Sequence, residues 1–326
     1  MESRRIFGIE SPGEFKTCAL ETFREQYHQV PVYREFCDLL VKNPSNVRRL
    51  EDLPFMPIEF FKTHRVLRQG TEAQMVFRSS GTTGSVPSQH YIADLEWYRK
   101  SFLKGFEQFY GPPSDYCILA MLPSYQERPD SSLIYMVSDL ISRSGHPESW
   151  FTGSTPESIY STLEDLEKSN DRKVLLLGVS FALLDLANRH PRKLERTIVM
   201  ETGGMKGRRK EMVRKELHQV LGRGFGVQHI HSEYGMTELL SQAYSEEAGL
   251  FRCPPWMQVR TRDPEDPLSF VDFGRTGGIN VIDLANQNSC SFLATQDLGR
   301  LYADGSFEVL GRFDHSDIRG CNLMAL

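Results

Sequence analysis

The 326-residue sequence predicts an α/β fold in which mostly parallel sheets are flanked by helices and followed by a β-rich C-terminal part. Three observations lead there. From about Tyr116 to Gly235, apolar runs of strand length alternate with amphipathic runs of helix length, the pattern of a parallel sheet with helices on both faces. After about Cys253 the texture shifts to short β segments. No internal repeat, low-complexity tract or long linker divides the chain, so one large unit accounts for it.

The elements follow in order. "PGEFKTCALETFREQY" from Pro12 and "VPVYREFCDLLVKN" from Val30 read as amphipathic helices. The apolar run "AQMVFR" (Ala73 to Arg78) reads as a strand and stops abruptly in "SSGTTG" (Ser79 to Gly84). A helical pattern resumes at Asp94, so this loop is placed between a strand and a helix. "YCILAML" (Tyr116 to Leu122) is a buried strand. A helix then starts at Pro156 with Thr155 as its cap and Ile159, Leu163 and Leu166 on one face. "KVLLLGVS" is a strand, "FALLDLANRH" a helix, and "RTIVMETGG" a strand ending in a glycine turn. "GRRKEMVRKELHQVLG" is a helix presenting Met212, Leu217 and Val220, and "GVQHIHSEYG" is a strand again. "GGINVIDLA", "CSFLATQDLGRLY" and "SFEVLGRF" build a small antiparallel or barrel-like part. The expected organisation is a helical N-terminal segment (1–72) packed on the core, the α/β core (73–252), and a β-rich part with the C-terminal tail (253–326) of the same domain.

Composition excludes several classes. With 40% apolar and 25% charged residues the chain is an ordinary globular one, and a formal net charge of −5 gives no general attraction for nucleic acid or an anionic membrane. The basic run Lys206 to Lys215 is a local exception. The N-terminus lacks the apolar core of a signal peptide. The longest apolar stretch, Val174 to Ala187, is too short to span a bilayer and contains Asp185. Six cysteines are scattered, with no C-x-x-C pair and no histidine at zinc spacing, which fits reduced thiols and a cytoplasmic location. Five read as packing residues; Cys321, near the end, stands apart.

In open α/β sheets ligands sit where strands end, and three loops there carry suitable chemistry. In "SSGTTG", glycines let backbone N–H groups approach a phosphate while hydroxyls add donors. It is not a Walker loop, because no Gly-Lys-Ser/Thr follows. A flexible Ser/Gly connector is the alternative. "HSEYGMTEL" (His231 to Leu239) packs an aromatic, a glycine, a hydroxyl and a carboxylate into five residues, suited to stacking on a base and binding phosphate and metal. A helix cap at Thr237 would explain half of it. In the third loop region Asp297 ends a strand, where it can accept two ribose hydroxyls, and Arg312 follows another strand, where it can pair with an anion. The intervening "ADGS" is a turn, so hairpin chemistry alone would also account for this region.

The order of these pieces, "SSGTTG", "ETGG", "YGMTE", "TQD" and "GRFD", resembles the adenylate-forming superfamily of acyl-CoA synthetases, luciferases and adenylation domains from about Phe77 to Gly320. Within it, "FRSSGTTGSVPS", "METGGMKGRR", "HSEYGMTEL" and "LGRFDHSDIRGCNL" are most similar to the acyl-protein synthetase family of the bacterial luminescence fatty-acid reductase system. The resemblance implies the N-terminal domain type of such enzymes, without their mobile C-terminal domain. It implies that ATP and Mg2+ activate a fatty or other hydrophobic carboxylic acid as acyl-AMP, and that a thiol then takes the acyl group. By that resemblance Ser79, Ser80, Gly81, Thr82, Thr83 and Gly84 cradle the pyrophosphate end of ATP. Gly203 and Gly204 lie against adenine and Tyr234 stacks on it. Thr237 meets the α-phosphate, Glu238 holds magnesium, Asp297 takes the ribose hydroxyls, and Arg312 approaches ribose or phosphate.

Two departures stand out. Pro87 is followed by Ser88 where many superfamily members carry lysine, and the chain ends fourteen residues after Arg312, before the domain whose lysine contacts the reacting carboxylate. Lys206, Arg208 and Arg209, just after the glycine pair, are candidate substitutes, with Arg208 equally well a solvated helix start. Cys321, after a glycine and beside Arg319, corresponds to the cysteine that becomes acylated in the family it resembles. An acyl reductase or acyl-accepting protein is the implied partner. The alternatives are an aryl- or acyl-CoA ligase of the phenylacetate type and a catalytically inactive nucleotide-binding relative. Tyr125, after a Pro-Ser turn, either faces the acid or caps a helix.

Overall fold

The structure, a computed structural model, describes residues 3–80, 86–122, 128–151, 156–169, 171–203 and 212–313. The N-terminal part consists of α1 (Ser3–Ile6), α2 (Pro12–Gln29), α3 (Pro31–Leu39), the short strand β1 (Met56–Pro57) and α4 (Phe60–Thr63). A capping box starts α2: Glu14 N donates to Ser11 Oγ, and Ser11 N donates back to Glu14 Oε2. Its buried face, Phe15, Cys18, Phe23 and Gln26, docks the segment onto the later sheet. There Gln26 Nε2 donates to the Asn286 carbonyl at 2.8 Å and Ser291 N donates to Gln26 Oε1 at 2.9 Å.

The main sheet takes β4 (Tyr116–Met121), β5 (Trp150–Phe151), β6 (Lys173–Val179), β7 (Thr197–Thr202), β8 (His231–Tyr234) and β9 (Ala243–Ser245). Its order is β5-β4-β6-β7-β8-β9, parallel throughout except for β9. The connecting helices are α5 (Leu95–Tyr110), which precedes β4, then α6 (Ser132–Ser144), α7 (Pro156–Lys168), α8 (Ser180–Arg189) and α9 (Arg214–Phe225). From β4 the chain runs outward to β5, then back across to β6 and on to β7 and β8. With right-handed crossovers that reversal puts α6 on one face and α7, α8 and α9 on the other. The expected parallel sheet with helices on both faces is therefore present. β4 is buried along its whole length and β6 from Val174 onward, which is why both read as unbroken apolar runs.

The second sheet joins β10 (Leu250–Phe251), β11 (Met257–Arg262), β12 (Thr276–Asp283), β13 (Phe292–Leu301) and β14 (Phe307–Arg312) in the order β10-β14-β13-β12-β11. These strands are antiparallel, and β1 adds a parallel pairing to β13 at Leu293 and Ala294. The antiparallel C-terminal part expected from the sequence is this sheet. A two-stranded hairpin, β2 (Met75–Arg78) with β3 (Gln89–Ile92), completes the strands described.

Three element readings change. The loop after Arg78 joins two antiparallel strands, not a strand and a helix; α5 begins beyond β3, with Asp94 accepting from Trp97 N as its cap. No helix follows Thr237, which lies in a turn, so it caps nothing. In α9 the buried side chains are Leu217, Leu221 and Phe225, while Met212 precedes the helix. Thr155, the expected cap of α7, lies outside the described residues. Among the described residues no helix is long and apolar enough to cross a membrane.

Candidate functional site

Tyr234 is the last residue of β8, only 7% exposed, and its hydroxyl donates to Asp297 Oδ2 at 2.8 Å. Its ring meets Phe251 and Phe307 edge-on, with centroids 5.8 and 5.6 Å away. Burial first, then the Asp297 carboxylate, push the phenol well above its ordinary value, so it stays a donor. Asp297 in β13 faces Arg312 in β14 across the ladder, and Arg312 Nε donates to Asp297 Oδ1 at 3.2 Å. The two ends of this pair differ sharply: the Asp297 side chain is 9% exposed and that of Arg312 76%. The guanidinium is thus anchored by one nitrogen and reaches into solvent with the rest.

Three residues beyond the end of β8 the chain makes the Thr237–Glu238 turn. His90 Nδ1 contacts the Thr237 carbonyl at 2.7 Å, and Asn286 Nδ2 donates to the Glu238 carbonyl at 2.9 Å. Leu240 N and Ser241 N both donate to Asp283 Oδ2, at 2.7 and 3.0 Å, while Ser241 Oγ donates to Oδ1 at 2.6 Å. The Glu238 carboxyl is buried. Burial raises it, opposed by the Ser88 hydroxyl, by its own backbone amide, and then by the charges of Arg312 and Lys62.

The base of the "SSGTTG" loop is pinched by a reciprocal pair. Ser79 N donates to the Ser88 carbonyl at 3.1 Å, and Ser88 N donates to Ser79 Oγ at 2.9 Å. Arg128 clasps it from outside, donating to the carbonyls of Arg78 and Ser79. Ser79 is partly buried and Ser80 exposed. Gly203, just past β7, has φ +67, a left-handed turn that favours glycine, and its carbonyl accepts from Ser180 Oγ at 2.8 Å. Under the sheet edge Thr202 Oγ1 donates to Glu233, whose carboxyl burial pushes up to about 7. Neighbouring Glu201 is instead held below its ordinary range, its burial outweighed by Arg214, 3.0 Å away, and by His218 and Ser232.

Of the residues read from the sequence, Tyr234, Asp297 and Arg312 are in direct contact, and Ser79 reaches Glu238 through Ser88. Thr237 adjoins Glu238 and Gly203 follows the strand paired with β8. Gly81, Thr82, Thr83, Gly84, Gly204, Lys206, Arg208, Arg209, Tyr125 and Cys321 lie outside the described residues. Sequence reading missed His90, Arg128, Asn286 and half-buried Lys62. Nothing local marks them, because each reaches the site from another element across tens to hundreds of residues.

The family model described as "Acyl-protein synthetase, LuxE" matches residues 10–121. The long-chain-fatty-acid–luciferin-component ligase of Photorhabdus luminescens is 34% identical over 70 residues, a match covering 21% of this chain and 60% of that protein. Among solved structures, 2-hydroxyisobutyryl-CoA ligase in the post-adenylation state superposes with a TM-score of 0.66 over 93% of this chain and 68% of that one, at 14% identity. ATP-bound MatB from Rhodopseudomonas palustris gives 0.56 over 76% and 49%, at 17% identity. The chain thus spans about half the length of the MatB structures it matches, and the fold is the one these ligases share. The family match and the structural likeness agree with the resemblance read from the motifs.

Proposed function

We propose that this chain is an ATP-dependent acyl-protein ligase that joins a fatty or other hydrophobic carboxylic acid to AMP and passes the acyl group to a cysteine thiol. The observation that carries the reading is the contact between Tyr234, Asp297 and Arg312 beside the Thr237–Glu238 turn and the pinched base of the hydroxyl-rich loop. The ribose hydroxyls donate to Asp297, adenine lies between Tyr234 and the glycine turn at Gly203 and Gly204, and the loop from Ser79 to Gly84 holds the β- and γ-phosphates. The acid's carboxylate oxygen attacks the α-phosphorus, the P–O bond to pyrophosphate breaks, and its electrons leave with pyrophosphate. Attack builds charge on the phosphoryl oxygens, so fixed donors at Thr237 and the cations Arg312 and Lys62 favour the transition state. Lys206 and Arg209 are further cations for the carboxylate.

Magnesium fits this site in one way. Among the described residues no three His, Cys, Asp or Glu side chains group as a metal cage, but Glu238 supplies one buried carboxylate. Mg2+ is commonly held by one or two carboxylates together with substrate phosphates, so Glu238 suits an ion that arrives with ATP. Bound there, it would neutralise phosphate charge.

The thiol is assigned to Cys321 by the resemblance to the acyl-protein synthetase family. Cys18, Cys37, Cys117, Cys253 and Cys290 are all pushed up by burial, Cys37 to about 12 and Cys117 to about 11, and so are poor nucleophiles. That leaves the assignment of Cys321 as acceptor, made by resemblance, unopposed, with an acyl reductase or acyl-accepting protein as the next carrier. Protein incubated with ATP, magnesium and a radiolabelled long-chain acid is expected to become labelled. Cys321→Ser should abolish the label while acid-dependent pyrophosphate exchange continues. Label persisting in that variant, or AMP release that requires coenzyme A, contradicts the acceptor assignment.

A further inference from the structure

His90 is a residue to which nothing above gives a role, and three observations converge on it. It is 1% exposed, on the strand that leaves the hydroxyl-rich loop, yet its Nδ1 sits 2.7 Å from the carbonyl oxygen of Thr237, 147 residues away. A carbonyl only accepts, so the proton must be on Nδ1, which leaves Nε2 as an acceptor in the neutral ring. Among the described residues, His90 Nε2 and Ser289 Oγ are both buried side-chain atoms without a hydrogen bond of good geometry, although the Asn286 side chain lies near enough to act on the His90 ring. Both residues line a cavity of about 10 Å3, together with Asn286. That is room for one water molecule, with polar neighbours on several sides to hold it. Asn286 in turn holds the next carbonyl, that of Glu238. Two consecutive carbonyls of the turn are therefore gripped by two buried side chains that line one small cavity.

We propose that His90, as the Nδ1–H tautomer backed by a single water shared with Ser289 and Asn286, is a positioning residue that locks the Thr237–Glu238 turn to the strand leaving the hydroxyl-rich loop. The proposal rests on the ligase reading for its catalytic consequence but not for its geometry. The grip makes the spacing between the loop and the turn a fixed quantity. Small displacements of groups around a reacting phosphate are expensive, about 100-fold for a shift near 1 Å. His90 touches neither nucleotide nor acid in this arrangement; it acts through Thr237 and Glu238.

The test uses the full-length protein with two variants. His90→Asn keeps a side-chain N–H donor close to the Nδ1 position, and His90→Leu fills similar space without one. In 15N-histidine spectra of the wild type, His90 is expected as the Nδ1–H tautomer; an Nε2–H tautomer overturns the proposal without reference to activity. In acid-dependent pyrophosphate exchange, His90→Leu should lower kcat by about 100-fold while the Kd for ATP moves less than about threefold. His90→Asn should recover most of the loss. A Leu variant that melts earlier yet keeps wild-type kcat shows a merely structural histidine and overturns the proposal. Wild-type protein with no exchange for any acid overturns the ligase reading, and with it the catalytic half of this one.

Discussion

Asp297 is almost wholly buried and yet satisfied on both oxygens, by the Tyr234 hydroxyl on one and by Arg312 on the other. Such a carboxylate is pre-oriented, and two hydroxyls of a ribose can compete for the same lone pairs. Asp297→Asn keeps the shape and removes the charge. It should weaken ATP binding about tenfold or more, given about 1.5–3 kcal/mol for a hydrogen bond to a charged group, which calorimetry with ATP reads directly; unchanged affinity contradicts the assignment. Glu233 offers a different test. Burial lifts its carboxyl from an ordinary 4.5 to about 7, so between those values the folded chain holds a proton that the unfolded chain releases. This residue therefore favours the fold below pH 4.5, and its contribution is lost as pH rises through 7. Glu233→Gln should gain stability at pH 8.5, by up to about 3 kcal/mol, and little at pH 5. Thermal melts at the two pH values check it, and an equal gain at both contradicts it. The burial of Glu233 was not visible in "HSEYG", where nothing local distinguishes its carboxylate from a surface one.

Elements buried on both faces were legible, and elements that bury a polar side chain were not. β6 announced itself as "VLLLGV" because both of its faces are covered. β3 buries His90 and Ile92 and leaves Gln89 and Tyr91 partly open, so the usual apolar alternation is broken by a histidine. β11 hides for a similar reason: its last residue, Arg262, is 9% exposed and points inward. Its guanidinium donates to the carbonyls of Ile279 and Thr295 and to Asn280 Oδ1, at 2.9, 2.6 and 2.8 Å. β12 accommodates it with glycine: a Cβ at Gly278 would lie 2.6 Å from Arg262 Cζ. Because three hydrogen bonds pin the guanidinium, it cannot step aside. Gly278→Ala should cost about 1–3 kcal/mol by overpacking, read as a lower urea midpoint, and an unchanged midpoint would mean that Arg262 is free to move. The loop Ser79 to Gly84 was found by its chemistry, but its place in a hairpin was missed because β3 was.

At the scale of the whole molecule, the candidate site is assembled from parts that no local pattern connects. The parallel sheet supplies Gly203 and Tyr234, the antiparallel sheet Asp297 and Arg312, and the hairpin Ser79 and His90. The order of the motifs along the chain gave away this convergence, through resemblance; periodicity and spacing alone did not. The N-terminal segment contributes through Gln26, which bonds the loop around Asn286 to Ser291 within the second sheet's connection. Gln26→Leu leaves Ser291 N without its buried acceptor and removes one of the two donors to the Asn286 carbonyl, which keeps Ser291 Oγ. It should cost about 2 kcal/mol or more, and equilibrium unfolding that matches wild type would contradict the docking role. The most direct measurement of the whole arrangement is a crystal structure with a non-hydrolysable acyl-adenylate mimic such as an acyl-sulfamoyl adenosine. Adenine is expected against Tyr234 and the Gly203 turn, with the ribose hydroxyls on Asp297 and the sulfamoyl group beside Thr237. Nucleoside bound on another face, or no binding at millimolar concentration, would contradict the claim that these loops form one nucleotide site.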